Sequence, residues 1–286
     1  MNTNRDLAKR LLKLYPVKSI KEHFDTDLNA DELYDNLVQN NNFNAIKDFA
    51  YGNLEDTKRH IYVYSIGQAA TLQNINLRNF PFDIINQTNI NNEISLTISP
   101  IVDFNTVLNN PFEEVTMKFH QPTKIVLNRT HLVFYFTILE KNINSHFDNN
   151  RKVLNVDKLN EESETITLVF NHLNHLNPQI CDLNRGVKHL WNADIVDSKY
   201  AKWKKHRSTT TETMDESYTL KSQYPEVYQT IINAPLNKTI FKYLIADENL
   251  PEHFTIDPSV GQISVPIFPK HINQHQNVVR EILSNN

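Results

Sequence analysis

Glycine is scarce in this sequence. The 286 residues include four glycines, where an average usage of about 7% would give roughly 20. They are Gly52, Gly67, Gly186 and Gly261, and no two are close in the sequence. Phosphate-binding loops need several glycines close together, because backbone amides must approach the phosphate in conformations with positive φ. The scarcity excludes a P-loop, a dinucleotide-binding fingerprint, a kinase-type loop and a GxSxG nucleophile elbow.

Cysteine is rarer still, since Cys181 is the only one. A single cysteine forms neither an intramolecular disulfide nor an all-cysteine zinc site, and it fits a reducing compartment. The first residues lack the uninterrupted apolar core of a signal peptide, because Arg5, Lys9, Arg10 and Lys13 stand among the leucines. The sequence also has no apolar run of about 18 residues, the length that spans a membrane. We therefore predict an intracellular, cytoplasmic protein without a membrane partner.

The spacing of apolar residues changes along the chain. Composition is that of a globular protein, with 40% apolar and 22% charged residues. Residues 1–58 show helical spacing, whereas residues from 59 onward show the alternation and β-branched runs of strands. We predict an α+β fold, in which a small helical domain (1–58) precedes a body (59–286) with a mainly antiparallel sheet and C-terminal helices. Strands and helices do not alternate regularly, which argues against a doubly wound parallel sheet.

The predicted elements of the body follow from composition and turn residues. Strands are predicted at Ile61–Ile66, Glu93–Ile98, Glu114–Phe119, Thr123–Leu127, His131–Leu139 and Thr165–Phe170, and further short ones at Phe254–Ile256 and Gln262–Val265. Helices are predicted from Val187 towards His206, at Pro225–Asn233, at Leu236–Ala246 and at Asn273–Leu283.

A basic segment with interleaved aromatic residues is the main functional candidate. Its cations are Lys199, Lys202, Lys204, Lys205 and Arg207, and Tyr200 and Trp203 lie among them. Clustered cations neutralise phosphates, and aromatic faces stack on unpaired bases. The segment therefore predicts a non-enzymatic, nucleic-acid-binding protein. The alternative interpretation is the solvated end of a helix, with Trp203 packed inward and the charge neutralised by Glu212, Asp215 and Glu216.

The first helix suggests a second contact. Arg5, Lys9, Arg10 and Lys13 share its polar side, opposite a row of leucines. These cations predict a second surface for phosphates, although ordinary solubilising charge explains them equally well. In a rival hypothesis, residues 1–58 form an interaction module that docks another protein.

Signals for catalysis and metals are weak. His172, His175, Cys181 and His189 have the residue types of a zinc site, but their spacing matches no standard pattern. The Asp-x-Lys triplets at Asp56 and Asp197 lie on no predicted strand. We therefore assign no catalytic residue, metal or cofactor, and a metal-dependent hydrolase or nuclease is the third hypothesis.

Overall fold

A computed structural model gives the structure of residues 2–67, 75–90, 92–109, 111–139, 147, 152–205, 208–214 and 218–286. The chain divides into two compact units, each made of three separate segments. The first unit contains residues 1–57, 70–128 and 136–176, and the second contains residues 58–69, 129–135 and 177–286. The fold is α+β, with N-terminal helices, a large antiparallel sheet and C-terminal helices, which confirms the predicted fold class. In the described part of the chain, no helix is long and apolar enough to cross a membrane.

Four helices begin the first unit, in the part of the chain for which the sequence predicts helices. They are α1 (Asn4–Leu12), α2 (Val17–Phe24), α3 (Ala30–Asn40) and α4 (Phe43–Gly52). Side-chain caps fix where they start: the Thr3 side chain accepts from the amide of Asp6 in a capping box, and Asn42 caps α4. Pro16 stands between α1 and α2, because proline cannot continue the first helix.

Two groups of antiparallel strands complete the first unit. Strand β6 (Thr123–Leu127) pairs with β3 (Glu93–Ile98), which pairs with β2 (Asn86–Ile90). Strand β4 (Ile101–Asn109) lies between β5 (Glu113–His120) and β8 (Lys152–Lys158). Helix α5 (Glu162–His172) follows β8.

The N-terminal helices do not have a core of their own. Leu11 and Phe49 from the helices share one buried cluster with Phe104 of β4 and Phe119 of β5. Tyr15 also donates a 2.6 Å hydrogen bond to the carbonyl of Ala50, which joins the ends of α1 and α4. The packing therefore makes residues 1–57 part of a larger unit.

The second unit is one broad sheet with helices. Its strands are β1 (Arg59–Ile66), β7 (His131–Thr137), β9 (Pro178–Ile180), β10 (Val196–Lys205), β11 (Ser208–Thr213), β12 (Leu236–Tyr243), β13 (His253–Asp257) and β14 (Gln262–Val265). Their order is β11-β10-β12-β13-β14-β1-β7, with β9 beside β1. The helices are α6 (Asn184–Asn192), α7 (Leu220–Gln223), α8 (Pro225–Ile232) and α9 (Gln274–Ser284).

One face of this sheet is buried under helices. A row of cross-strand partners, Ala201, Thr239, Ile256, Ile263 and Ile61, is fully buried. Trp191 of α6 packs on Phe241 of β12 and on Tyr228 of α8, with ring centroids 5.1 Å apart in both pairs. Glu281 of α9 accepts a 3.0 Å hydrogen bond from Tyr243. Helices α6, α8 and α9 therefore lie on the same side of the sheet.

Three sequence predictions of secondary structure are wrong. The predicted helix from Val187 towards His206 ends at Asn192, and β10 follows. The predicted helix at Leu236–Ala246 is β12, whose buried residues alternate with partly exposed ones. The predicted strand at Thr165–Phe170 belongs to α5, which starts at a capping box between Glu161 and Glu164.

Candidate nucleic-acid interface

The basic segment forms a strand, so its side chains alternate between two faces of the sheet. Ala201 and Trp203 lie on the buried face, with 0% and 3% of their surface exposed. Tyr200 and Lys202 lie on the opposite face and are partly exposed. The segment therefore divides into an inward apolar half and an outward half that carries charge and an aromatic ring.

A second lysine joins this outward half from the next strand. The antiparallel register places Lys202 of β10 directly opposite Lys238 of β12, and opposite Thr211 of β11 on the other side. Lys238 and Thr211 are exposed. We call Tyr200, Lys202, Thr211 and Lys238 the Lys202 face.

The Lys202 face carries uncompensated positive charge. Among the described residues, the Lys202 and Lys238 side chains have no hydrogen bond or ion pair. Like charges directly opposite each other on neighbouring strands destabilise a sheet. The register therefore places two positive charges side by side on this face.

Lys242 extends the charge along β12. It lies two residues from Ile240, which is the register partner of Tyr200, and alternates with the buried Phe241 and Tyr243. The register partner of Lys242 is Asp197, which is buried. One oxygen of the Asp197 carboxylate accepts hydrogen bonds from the indole of Trp191 and from the backbone amides of Ser198 and Lys221. These three donors stabilise its negative charge.

The structure separates the residues that the sequence grouped together. Trp203 is buried, so its indole does not present a face for stacking, and its Nε1 has no hydrogen-bond partner among the described residues. Lys199 is partly buried, and its carbonyl accepts from the amide of Met214 at 2.8 Å. Lys204 and Lys205 continue β10 opposite Thr209 and Ser208, and Arg207 lies outside the described residues.

Helix α1 does not present its four cations together. Arg10 is only 4% exposed; it donates a 2.8 Å hydrogen bond to the carbonyl of Lys118 and lies 5.1 Å from the Phe119 ring centre. Burial lowers the pKa of its guanidinium.

The other three α1 cations differ from one another in surroundings. The Lys9 ammonium lies 2.8 Å from the Asp35 carboxylate, and Lys13 lies over the ring of Tyr34. Arg5 is exposed. Three of the four side chains, those of Lys9, Arg10 and Lys13, are therefore less exposed than the helical pattern indicates, because β5 and α3 pack against α1.

The histidines and the cysteine of the weak zinc signal have separate surroundings. The His172 ring packs on Phe80, and its Nε2 lies 2.8 Å from the carbonyl of Asn76. Cys181 is buried, and this burial raises the pKa of its thiol. Within the described ranges, no three His, Cys, Asp or Glu side chains come together in a way that would hold a metal ion.

Sequence reasoning missed Lys238 and Lys242. Their signal is the alternation in Leu236–Tyr243, where lysines occupy every fourth position and buried residues lie between them. If the segment is predicted as a strand, both lysines fall on its polar face. If it is predicted as a helix, as in the sequence analysis, this shared face is not apparent.

Comparison with protein-family models, curated proteins and solved structures finds no match to this chain. Any functional assignment therefore depends on its own residues.

Proposed function

We propose that this protein binds single-stranded nucleic acid on the Lys202 face. The observation that carries the proposal is the opposition of Lys202 and Lys238, two ammonium groups without a carboxylate partner among the described residues. A nucleic-acid backbone supplies anions at regular intervals and neutralises such pairs.

A single strand fits this surface better than a duplex. The face is a broad sheet, and Tyr200 lies two residues from Lys202 on the same side of β10. An unpaired base stacks on the tyrosine ring while the neighbouring phosphates contact the lysines. The hydroxyl of the exposed Thr211 adds a neutral phosphate contact.

The proposal keeps the predicted activity and changes the residues that perform it. In this proposal the stacking ring is Tyr200 and not Trp203. The phosphate contacts come from Lys238 and Lys242 as well as from Lys202. Helix α1 is left out, because Arg10 is buried and Lys9 is paired with Asp35.

Fluorescence anisotropy with labelled 20-nucleotide single-stranded RNA, single-stranded DNA and duplex DNA tests the proposal. Affinity is measured between 50 and 200 mM salt for the full chain and for the double variant Lys202→Gln/Lys238→Gln. Loss of two phosphate contacts should reduce the slope of log affinity against log salt by about 1.4, since each contact to a single strand contributes about 0.7.

The matched control is Lys18→Gln/Lys152→Gln, which removes two exposed lysines of the first unit. It changes the net charge equally and should leave the slope and the affinity near those of the parent protein. An equal loss in both double variants means that only overall charge matters. That result, or no binding at 50 mM salt, contradicts the proposal, and stronger binding to the duplex contradicts its single-strand part.

A further inference from the structure

A cleft of about 560 Å³ lies within the first unit, away from any residue discussed so far as a binding group. It is formed by α4, the segment 80–85, the turn between β3 and β4, the end of β5 and the start of α5. One wall is polar and carries Lys47, Tyr51, Ser99 and His120. The lining also includes the apolar side chains of Phe80, Phe82, Ile85 and Leu168.

Ser99 and His120 form a hydrogen-bonded pair on the polar wall. The Ser99 Oγ lies 3.2 Å from Nδ1 of His120. The fold fixes this distance, because Ser99 follows the last residue of β3 and His120 ends β5, opposite the first residue of β4. Both side chains are partly exposed and line the cleft.

Helix α4 supplies two further polar groups. Lys47 and Tyr51 are four residues apart and therefore share one side of the helix. Burial raises the pKa of Tyr51, and the nearby Ser99 side chain offsets part of that rise, so the phenol is neutral at pH 7. Tyr51 and Lys47 therefore line the same cleft as the Ser99–His120 pair.

His120 is neutral and can accept a hydrogen bond. Burial, and next the nearby Lys47 ammonium, lower the pKa of His120 to about 4. The ring is consequently neutral at pH 7, and with its proton on Nε2 the Nδ1 atom accepts the hydrogen bond that Ser99 donates.

We propose that this cleft is an active site in which Ser99 is the nucleophile and His120 the general base for hydrolysis of small uncharged carboxylic esters. The arrangement has one contact that nucleophilic catalysis by serine requires, a hydroxyl within hydrogen-bond distance of a base. It is independent of the Lys202 face.

The reaction uses only groups of the cleft and water. Ser99 Oγ attacks the carbonyl carbon while its proton moves to Nδ1 of His120. The bond to the alkoxy oxygen then breaks, and the alcohol leaves with the proton from His120. Water attacks the acyl-Ser99 carbonyl, His120 takes a proton from that water and returns it to Oγ, and the carboxylic acid is released. Lys47 and Tyr51 are the donors available to the oxyanion that forms at each attack.

The remaining lining selects an uncharged substrate. Asp83, Glu161 and Glu164 carry carboxylates at the cleft and are exposed. They outnumber the one lysine, so a carboxylate-bearing substrate is repelled. The aromatic and aliphatic side chains favour a short alkyl acyl group, because its burial removes apolar surface from water.

Labelling with a fluorophosphonate probe tests the proposal on the intact chain. Peptide mass spectrometry should find the label on Ser99, and p-nitrophenyl butyrate should be hydrolysed. Ser99→Ala should abolish both signals. His120→Gln should slow them at least 100-fold, since a positioned base contributes about 10²–10⁴ in rate. Ser95→Ala, which removes a serine of β3 that does not line the cleft, should change neither.

The labelled peptide is read from the parent protein, so the test does not depend on whether a variant folds. Circular dichroism and thermal unfolding show whether each variant retains its fold. A parent protein without label on Ser99, or hydrolysis that persists in Ser99→Ala, overturns the proposal.

Discussion

Gly186 of α6 lies directly against the backbone of Ile282 in α9. A Cβ atom at Gly186 would stand 2.1 Å from the Ile282 carbonyl oxygen and 2.9 Å from its carbonyl carbon. A backbone atom cannot rotate away as the end of a side chain can. The absence of a side chain at this one position therefore sets how closely the two helices approach.

Replacing Gly186 with alanine should lower the free energy of unfolding. Forcing a methyl group into a packed contact costs about 1–3 kcal/mol, which exceeds the gain of about 1 kcal/mol that alanine offers in a helix. Urea unfolding followed by circular dichroism measures the difference. Gly52→Ala is the control, because a Cβ at Gly52 meets no atom within 4 Å; it should be neutral or slightly stabilising. Equal effects at the two positions would contradict the packing argument.

Replacing Lys238 with glutamate should raise stability and weaken nucleic-acid binding together. The change converts a like-charge pair with Lys202 into an opposite-charge pair, which contributes roughly 0.2–1 kcal/mol across two strands. Added salt should stabilise the parent protein more than the variant, because it screens the repulsion. Urea unfolding at 20 and 500 mM salt measures both effects.

Lys152→Glu is the control for this charge reversal, since Lys152 of β8 stands opposite Asn109 and not opposite a lysine. It should produce no gain in stability. A loss of stability in Lys238→Glu at low salt would show that the two ammonium groups do not repel each other in the folded protein.

Tyr200→Leu should weaken single-strand binding by about 1–3 kcal/mol, the contribution of one base stacked on an aromatic ring. Tyr200→Phe keeps the ring and should bind almost as the parent protein does. The slope of affinity against salt should stay the same in both variants, because no phosphate contact is removed. Anisotropy at two salt concentrations separates these outcomes. If leucine binds as well as phenylalanine, stacking at this position is excluded.

His120 should make the protein less stable as the pH falls from 6.5 towards 4. Its pKa is lowered from 6.5 to about 4 in the folded state, so the unfolded chain takes up its proton first. The stability is thus complete above pH 6.5 and is lost as the pH falls through this window. The charged group that acts on the ring is Lys47 on α4, and Asp83, Glu161 and Glu164 line the same cleft.

Urea unfolding between pH 4 and 7 compares the parent protein with His120→Gln. The variant should lose less stability over this range, because glutamine does not titrate. Parallel curves would show that His120 does not contribute to acid sensitivity.

Sequence reasoning works best in this protein where local chemistry decides the structure. Residues 1–58 were predicted to be helical from the spacing of their apolar residues, and the structure has helices there whose boundaries are set by contacts within a few residues, at Thr3, Pro16 and Asn42. The strands at Glu93–Ile98 and Thr123–Leu127 have the β-branched composition of a sheet and are found there.

Errors arose where two patterns compete within the same residues. Thr165–Phe170 has the composition of a strand, but the capping box at Glu161 starts a helix ahead of it. Leu236–Tyr243 has apolar residues that suit either a helix or a strand, and pairing with β10 and β13 selects the strand. The composition of a segment does not show which other strands will lie beside it in the folded protein.

The cleft was beyond the reach of sequence reasoning altogether. Lys47, Ser99 and His120 come from three different elements, and no spacing between them marks a motif. Only the register of β4 with β5 brings the histidine back to the serine. The Lys202 face is an intermediate case. The sequence analysis found Lys202 in the basic segment, but it missed Lys238 because it predicted β12 as a helix.

The discontinuous course of the second unit has a consequence for biosynthesis. Arg59 of β1 pairs with Val265 of β14, so the partner leaves the ribosome roughly 200 residues after the strand that awaits it. At 5–20 residues per second, that edge stays unpaired for about 10–40 seconds. During this interval the nascent chain exposes an unpaired strand edge, which can pair with other chains before β14 has been made.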